Sequence, residues 1–230
     1  MRVPPELFIL NNELVACRLC PRLVAHREKV GREKRRAYLN HVYWAKPVPG
    51  FGDPQARVLL LGLAPGAHGS NRTGRMFTGD GSGNFLYPVL FKTGFASQPS
   101  ATGLDDGMTL SDAYITAVAR CAPPENKPEK QELANCAKFL DREFGALRQI
   151  KVVVALGKIA FDGYLDHLVR SGKLNRKARI LFRHGAEFKV PDGRILLASY
   201  HPSQQNTLTG RLTKSMLVKI FRRARRLANR

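Results

Sequence analysis

The sequence predicts an α/β fold built on a parallel sheet, and three observations carry the prediction. Four short apolar runs, 57–61 (RVLLL), 113–119 (AYITAVA), 151–156 (KVVVAL) and 194–199 (RILLAS), have the length and composition of fully buried strands. Helical stretches separate them, the alternation expected of βα units with helices on both faces of a sheet. The first run passes straight into a glycine-rich stretch, 62–83 (GLAPGAHGSNRTGRMFTGDGSG), and then into a helix-like segment. A strand, a glycine turn and a helix mark the place where such a sheet holds a ligand, outside the carboxyl ends of its strands.

From the N-terminus, residues 5–20 show helical spacing at Leu7, Leu10, Leu14 and Cys17. The basic stretch 26–36 (HREKVGREKRR) reads as a helix with interspersed charges or as an arm near phosphates, a solvated face being the default. Residues 38–56 carry Tyr38, Tyr43 and Trp44 among three prolines and read as an irregular loop over a pocket edge. After the glycine-rich stretch, 84–95 reads as a helix and 96–111 as an exposed Ser/Gly/Asp connection. The second strand runs into Arg120 and Cys121, then into a proline-bounded loop with Asn126 at its centre. Residues 130–147 form an amphipathic helix that turns Cys136 inward, and 158–169 form another after the third strand. Residues 170–192 are basic and irregular. The fourth strand ends in YHPSQQNTLTGR, and the last helix, 212–227, is apolar on one face and basic on the other. A single domain over 1–230 accounts for all of this.

The 38 Lys and Arg against 18 Asp and Glu give a net charge of +20, which points to a polyanion as partner. Nucleic acid is the first choice and an anionic membrane surface, reached through the last helix, the runner-up. No run approaches the roughly 18 apolar residues of a membrane span, and the N-terminus lacks the pattern of a signal peptide. A cytoplasmic monomer, nucleoid-associated through DNA, is the expectation. Cys17 and Cys20 form C-x2-C, and Cys121 and Cys136 form a wide second pair. Without a secretory signal these four suit a tetrathiolate site rather than disulfides. Zinc and a 4Fe–4S cluster both use such ligands. A zinc ribbon more often shows a second C-x2-C, so the wide pair favours iron–sulfur.

The glycine-rich stretch contains neither G-x-G-x-x-G nor the phosphate-loop pattern. It offers instead a carboxylate (Asp80), an aromatic ring (Phe77) and several donors, a set suited to a base and a sugar. Three loops with unusual chemistry leave the strand ends: the glycine-rich loop, the Asn126 loop and the His201 loop. In the predicted fold they converge on one pocket.

The residues GLAPGAHGSNRTGRMFTGD (62–80), RCAPPENKP (120–128), VALGKIA (154–160) and SYHPSQQNTLTGRLT (199–213), with the four-cysteine pattern, resemble the uracil-DNA glycosylase superfamily over nearly the whole chain. The resemblance is strongest to its family 5, the B-type iron–sulfur group. It implies a three-layer α/β/α sandwich with a central four-stranded parallel sheet. It implies a 4Fe–4S cluster on Cys17, Cys20, Cys121 and Cys136, and excision of uracil, with other deaminated bases, from DNA. Phe77 then stacks on the extruded base, His201 donates to its O2, and Asn126 reads its edge. Other families place an acid or amide where this chain has Leu63 and Ala64, so Asp80 becomes the water-activating carboxylate, with helix capping as its other reading. Backbone N–H groups from Leu63 through Gly66 to Ala67 contact base or sugar. Asn206, Leu208 and Arg211 lie in the loop that enters the duplex, and either Leu208 or Arg211 is the wedge. The apolar pair at 63–64 implies a permissive pocket that takes hypoxanthine among other lesions. Two rivals stand beside this reading: a non-catalytic basic DNA-binding protein with a structural metal, and a small iron–sulfur electron carrier.

Overall fold

A computed structural model describes residues 4–175 and 180–230 of the chain. Two helices open it, α1 (Pro5–Val15) and α2 (Pro21–Glu33), followed by strands β1 (Phe51–Gly52) and β2 (Val58–Gly62). The glycine-rich stretch holds one turn of helix, α3 (Ser70–Thr73), and leads into α4 (Gly81–Lys92). Then come β3 (Ala113–Ala117), α5 (Lys130–Ala146), β4 (Val152–Leu156) and α6 (Lys158–Arg170). The chain ends with β5 (Glu187–Lys189), β6 (Ile195–Ser199), α7 (Gln204–Leu208) and α8 (Lys214–Ala228).

The strands form one sheet in the order β1-β3-β2-β4-β6-β5. Its centre, β3-β2-β4-β6, is the expected four-stranded parallel set. The full count is six, because β1 pairs antiparallel with β3 and β5 antiparallel with β6 at the two edges. Two and three residues leave no periodicity to read, and both edge strands lie in stretches that look irregular as sequence. Part of the expected irregular tract 170–192 lies outside the described residues.

Side chains alternate across the central strands. Val58, Leu60, Ile115, Val154 and Leu197 face one core with Leu86 and Leu90 of α4 and Leu217 and Phe221 of α8. Leu59, Leu61, Tyr114, Val153 and Leu196 face the other with Leu10 of α1, Leu140 of α5 and Phe161 of α6. This is the three-layer sandwich, and burial on both faces is why the central strands read as unbroken apolar runs. At the N-terminus the helical spacing stops sooner than expected. Leu7, Leu10 and Leu14 are the buried stripe of α1, but Cys17 and Cys20 fall in the bend before α2. Pro21 occupies the first position of α2, where its missing N–H costs nothing.

The carboxyl ends of the strands are stitched side by side. The Val118 N–H donates to the Gly62 carbonyl at 3.1 Å, and the Gly157 N–H donates to the Ser199 carbonyl at 2.8 Å. The three loops that leave these ends therefore start from neighbouring, fixed points.

Candidate active site

The glycine-rich loop gathers around Asp80. One carboxylate oxygen, Oδ1, accepts from the Gly83 N–H at 3.0 Å and caps α4. The other, Oδ2, looks back into the loop across Gly66 and Gly69. A Cβ at Gly66 would lie 2.7 Å from Oδ2, and one at Gly69 would overlap the carboxylate. Glycine at these two positions leaves the room that Oδ2 occupies. Burial pushes the Asp80 carboxyl above the usual range, while the Gly83 and Ser82 N–H groups and the Arg72 charge pull it down. Among the described residues the N–H groups of Ala64, Gly66 and Ala67 donate no hydrogen bond, which leaves them for a ligand. Leu63 and Ala64, both half-buried, follow the end of β2, and the Leu63 carbonyl accepts from the Ala119 N–H at 2.9 Å.

Phe77 has a left-handed φ of 53° and a buried ring. The ring lies so close over Gly62 that a Cβ there would approach it to 2.9 Å. His201 faces it, with ring centroids 5.8 Å apart and planes tilted by 32°. The chain reaches His201 directly from β6, over Gly157, whose φ of 101° and missing side chain make room for the His201 Cβ. Burial lowers the His201 pKa to about 4, so the ring is neutral near pH 7. The rest of this loop folds back on the site. The Asn206 side-chain amide donates to the His201 carbonyl at 2.8 Å, so Asn206 braces the loop. Gln204 packs against Gly81, where a Cβ would lie 2.8 Å from its Cγ. The glycine-rich loop and the His201 loop thus share one site.

Leu208 is 83% exposed at the end of α7, and next to it Leu212 is fully buried. The Arg211 guanidinium lies over the Tyr200 ring at 4.6 Å. Asn126 sits in an exposed turn, Pro124–Asn126, with a φ of 58° that asparagine tolerates. It leaves the same end of the sheet, yet among the described residues its side chain makes no hydrogen bond to Phe77, Asp80 or His201, so the expected convergence of the third loop is not seen.

The four cysteines, free and half-buried, line one cavity between the α1–α2 bend, the segment after β3, and α5. The donor set is more than thiols. Arg27, 2% exposed, donates from Nη1 to the Cys121 Sγ at 2.8 Å and from Nη2 to the Cys17 carbonyl at 3.2 Å. Arg120 lines the same cavity, ion-paired to Glu143, with its Nε and Nη1 buried and unpartnered. Burial raises Cys121 to about 11 and Cys136 to about 12. Among the described residues no group of three or more His, Cys, Asp or Glu is arranged to hold a metal ion. The solvated-face reading of 26–36 misses Arg27, since one buried cation in a charged helix has no sequence signature. Arg72 and the hydrogen bond between the Tyr43 hydroxyl and His68 Nδ1, 2.9 Å, are likewise visible only in three dimensions.

Residues 49–225 match the family model described as Uracil DNA glycosylase superfamily. Three relatives bear the name type-5 uracil-DNA glycosylase. The one from Thermus thermophilus is 56% identical over 97% of this chain and 98% of its own. The one from Mycobacterium tuberculosis is 47% identical over 95% of this chain and 81% of its own. The one from Pyrobaculum aerophilum is 44% identical over 93% and 89%.

Proposed function

Since the chain belongs to the uracil-DNA glycosylase superfamily, in its type-5 group, we propose that it repairs DNA by hydrolysing the N-glycosidic bond of uracil, working on a nucleotide extruded from the duplex. The observation that carries the mechanism is the facing of Phe77 and His201, 5.8 Å apart, beside a loop whose Gly66 and Gly69 make room for Asp80 Oδ2.

The base enters with its face on Phe77 and its O2 toward His201. Bond breaking leaves a cationic sugar and an anionic base, so a donor at O2 lowers the barrier where charge develops. The His201 imidazole, neutral in its buried position, donates a hydrogen bond there without giving up a full proton. The free N–H groups of Ala64, Gly66 and Ala67 supply further donors. Asp80 orients a water against C1′ through Oδ2, stabilises the sugar cation and accepts the water's proton. Asn126 closes over the base edge from its exposed turn, offering amide donor and acceptor together. Leu208, apolar and projecting, fills the gap left by the nucleotide, while Arg211, held on Tyr200, contacts the strand beside it. With Leu63 and Ala64 apolar, few polar groups reject a larger base, and hypoxanthine is accepted as well.

The four thiols fit a 4Fe–4S cluster better than zinc. A zinc ribbon more often pairs one C-x2-C with a second, whereas Cys121 and Cys136 stand far apart in the chain, and a cluster takes one thiolate per iron. Arg27 and the unpartnered Arg120 nitrogens suit the negative charge of such a group. When bound, the cluster supplies a covalent tie between the N-terminal bend, the segment after β3, and α5. The protein acts as a monomer on nucleoid DNA.

The test is a uracil-containing duplex incubated with purified protein and then with alkali. Strand scission that disappears in Asp80→Asn and His201→Ala supports the proposal, and an intact strand at enzyme excess refutes it. Visible charge-transfer absorbance and bound iron, both lost in Cys136→Ser, identify the cluster; a colourless zinc-bearing protein would replace it.

A further inference from the structure

Arg72 is a charged side chain buried inside the glycine-rich loop and bonded to the loop's own backbone. It is 8% exposed. Its Nε donates to the His68 carbonyl at 2.8 Å and its Nη2 to the Gly79 carbonyl at 2.9 Å. One guanidinium thus ties the start of the loop to its end, and the second carbonyl belongs to the peptide that carries Asp80. Gly79 has a φ of 82°, and a Cβ there would overlap Nη2, so the chain has closed directly around the cation. The outer side is held too. The Tyr38 ring lies 4.0 Å from Cζ, and His41 Nδ1 accepts from Nη1 at 3.2 Å. Among the described residues no carboxylate forms an ion pair with Arg72.

We propose that Arg72 is a positioning residue for hydrolysis, fixing through its fork on the His68 and Gly79 carbonyls the peptide that aims Asp80 and placing a positive charge beside the carboxylate. This rests on the reading of Asp80 as the water-activating group. The groups facing Asp80 are few. From α4 come the Gly83 and Ser82 N–H groups and the Tyr87 phenol, which donates to the Met76 carbonyl at 3.0 Å. From the loop come Gly66 and Gly69, and on the far side of Gly81 lies the neutral Gln204. Arg72 is the only full positive charge among them. Desolvation opposes ionisation most strongly; the two α4 N–H groups pull the other way, and the Arg72 charge adds to them. A fork with two carbonyls also holds its place as a lysine cannot.

The test measures single-turnover uracil excision against pH for wild type, Arg72→Gln, Arg72→Lys and Asp80→Asn, with thermal melting of each. Arg72→Gln moves the acid limb upward and lowers the plateau about ten-fold, with KM nearly unchanged. Arg72→Lys, the milder change, returns the limb toward wild type but keeps the low plateau, because it restores the charge without the fork. A wild-type limb and plateau in either Arg72 variant overturns the inference. Asp80→Asn separates the two readings. If it abolishes the limb and the rate, the Asp80 assignment stands whatever Arg72 shows; if it leaves both intact, that assignment falls first.

Discussion

Asp80 caps α4 with one oxygen and, in the proposed reaction, activates water with the other, and the two jobs respond differently to substitution. Oδ1 caps α4, and asparagine caps as well as aspartate does. The buried charge is another matter. Burial raises the Asp80 pKa, so the folded state holds this proton more tightly than the unfolded chain. The group favours folding at low pH and opposes it as pH rises through the folded-state value. Asp80→Asn is therefore expected to lose about a hundred-fold or more in excision rate while melting at a higher temperature than wild type at pH 8, which calorimetry checks. His201 runs the other way. Its pKa is lowered from 6.5 to about 4, so its contribution is complete above 6.5 and is lost as pH falls toward 4. The melting temperature of wild type should fall relative to His201→Asn across that window. That Phe77, Asp80 and His201 share one site was legible because their motifs are long and sit at strand ends. Those of Arg27 and Arg72 were not, because burial of one cation among many depends on which neighbours close over it.

At the scale of elements, the glycine-rich loop is a shape as much as a chemistry. Gly69→Ala places a methyl group on the Asp80 carboxylate, so excision should collapse while circular dichroism stays that of wild type. The α7 turn makes a complementary prediction. Leu208 is 83% exposed and contributes nothing to the core. Leu208→Ala should leave stability unchanged and slow excision from a matched duplex about ten-fold, because filling the gap offsets part of an unstacking cost of a few kcal/mol. Single-stranded substrate should be cut at the wild-type rate, and a parallel loss on both substrates would remove Leu208 from the wedge role. The central strands and long helices were readable because burial on both sheet faces writes unbroken apolar runs. The edge strands Phe51–Gly52 and Glu187–Lys189 were not, since pairing at an edge leaves too few residues for any period.

At the scale of the whole molecule, the net charge of +20 acts on encounter rather than on chemistry. Its helix α8 starts beside the wedge loop and carries Arg222 and Arg226 exposed along its length. Raising salt from about 50 to 200 mM should cut excision steeply at low enzyme, by about a thousand-fold for six phosphate contacts, yet leave the saturated single-turnover rate nearly constant. The sandwich and its ligand end followed from the order of strands and helices. The expected meeting of Asn126 with the pocket is not seen, since its turn, Pro124–Asn126, stands exposed.

The capping of α4 by the same carboxylate that faces the reaction has a mechanical meaning. Its capping oxygen is anchored to a helix packed into the core, so in the proposed reaction the Asp80 loop is a stiff template to which the nucleic acid must conform. Turnover will follow how readily each helical step gives way, making weakly stacked surroundings the sites repaired first.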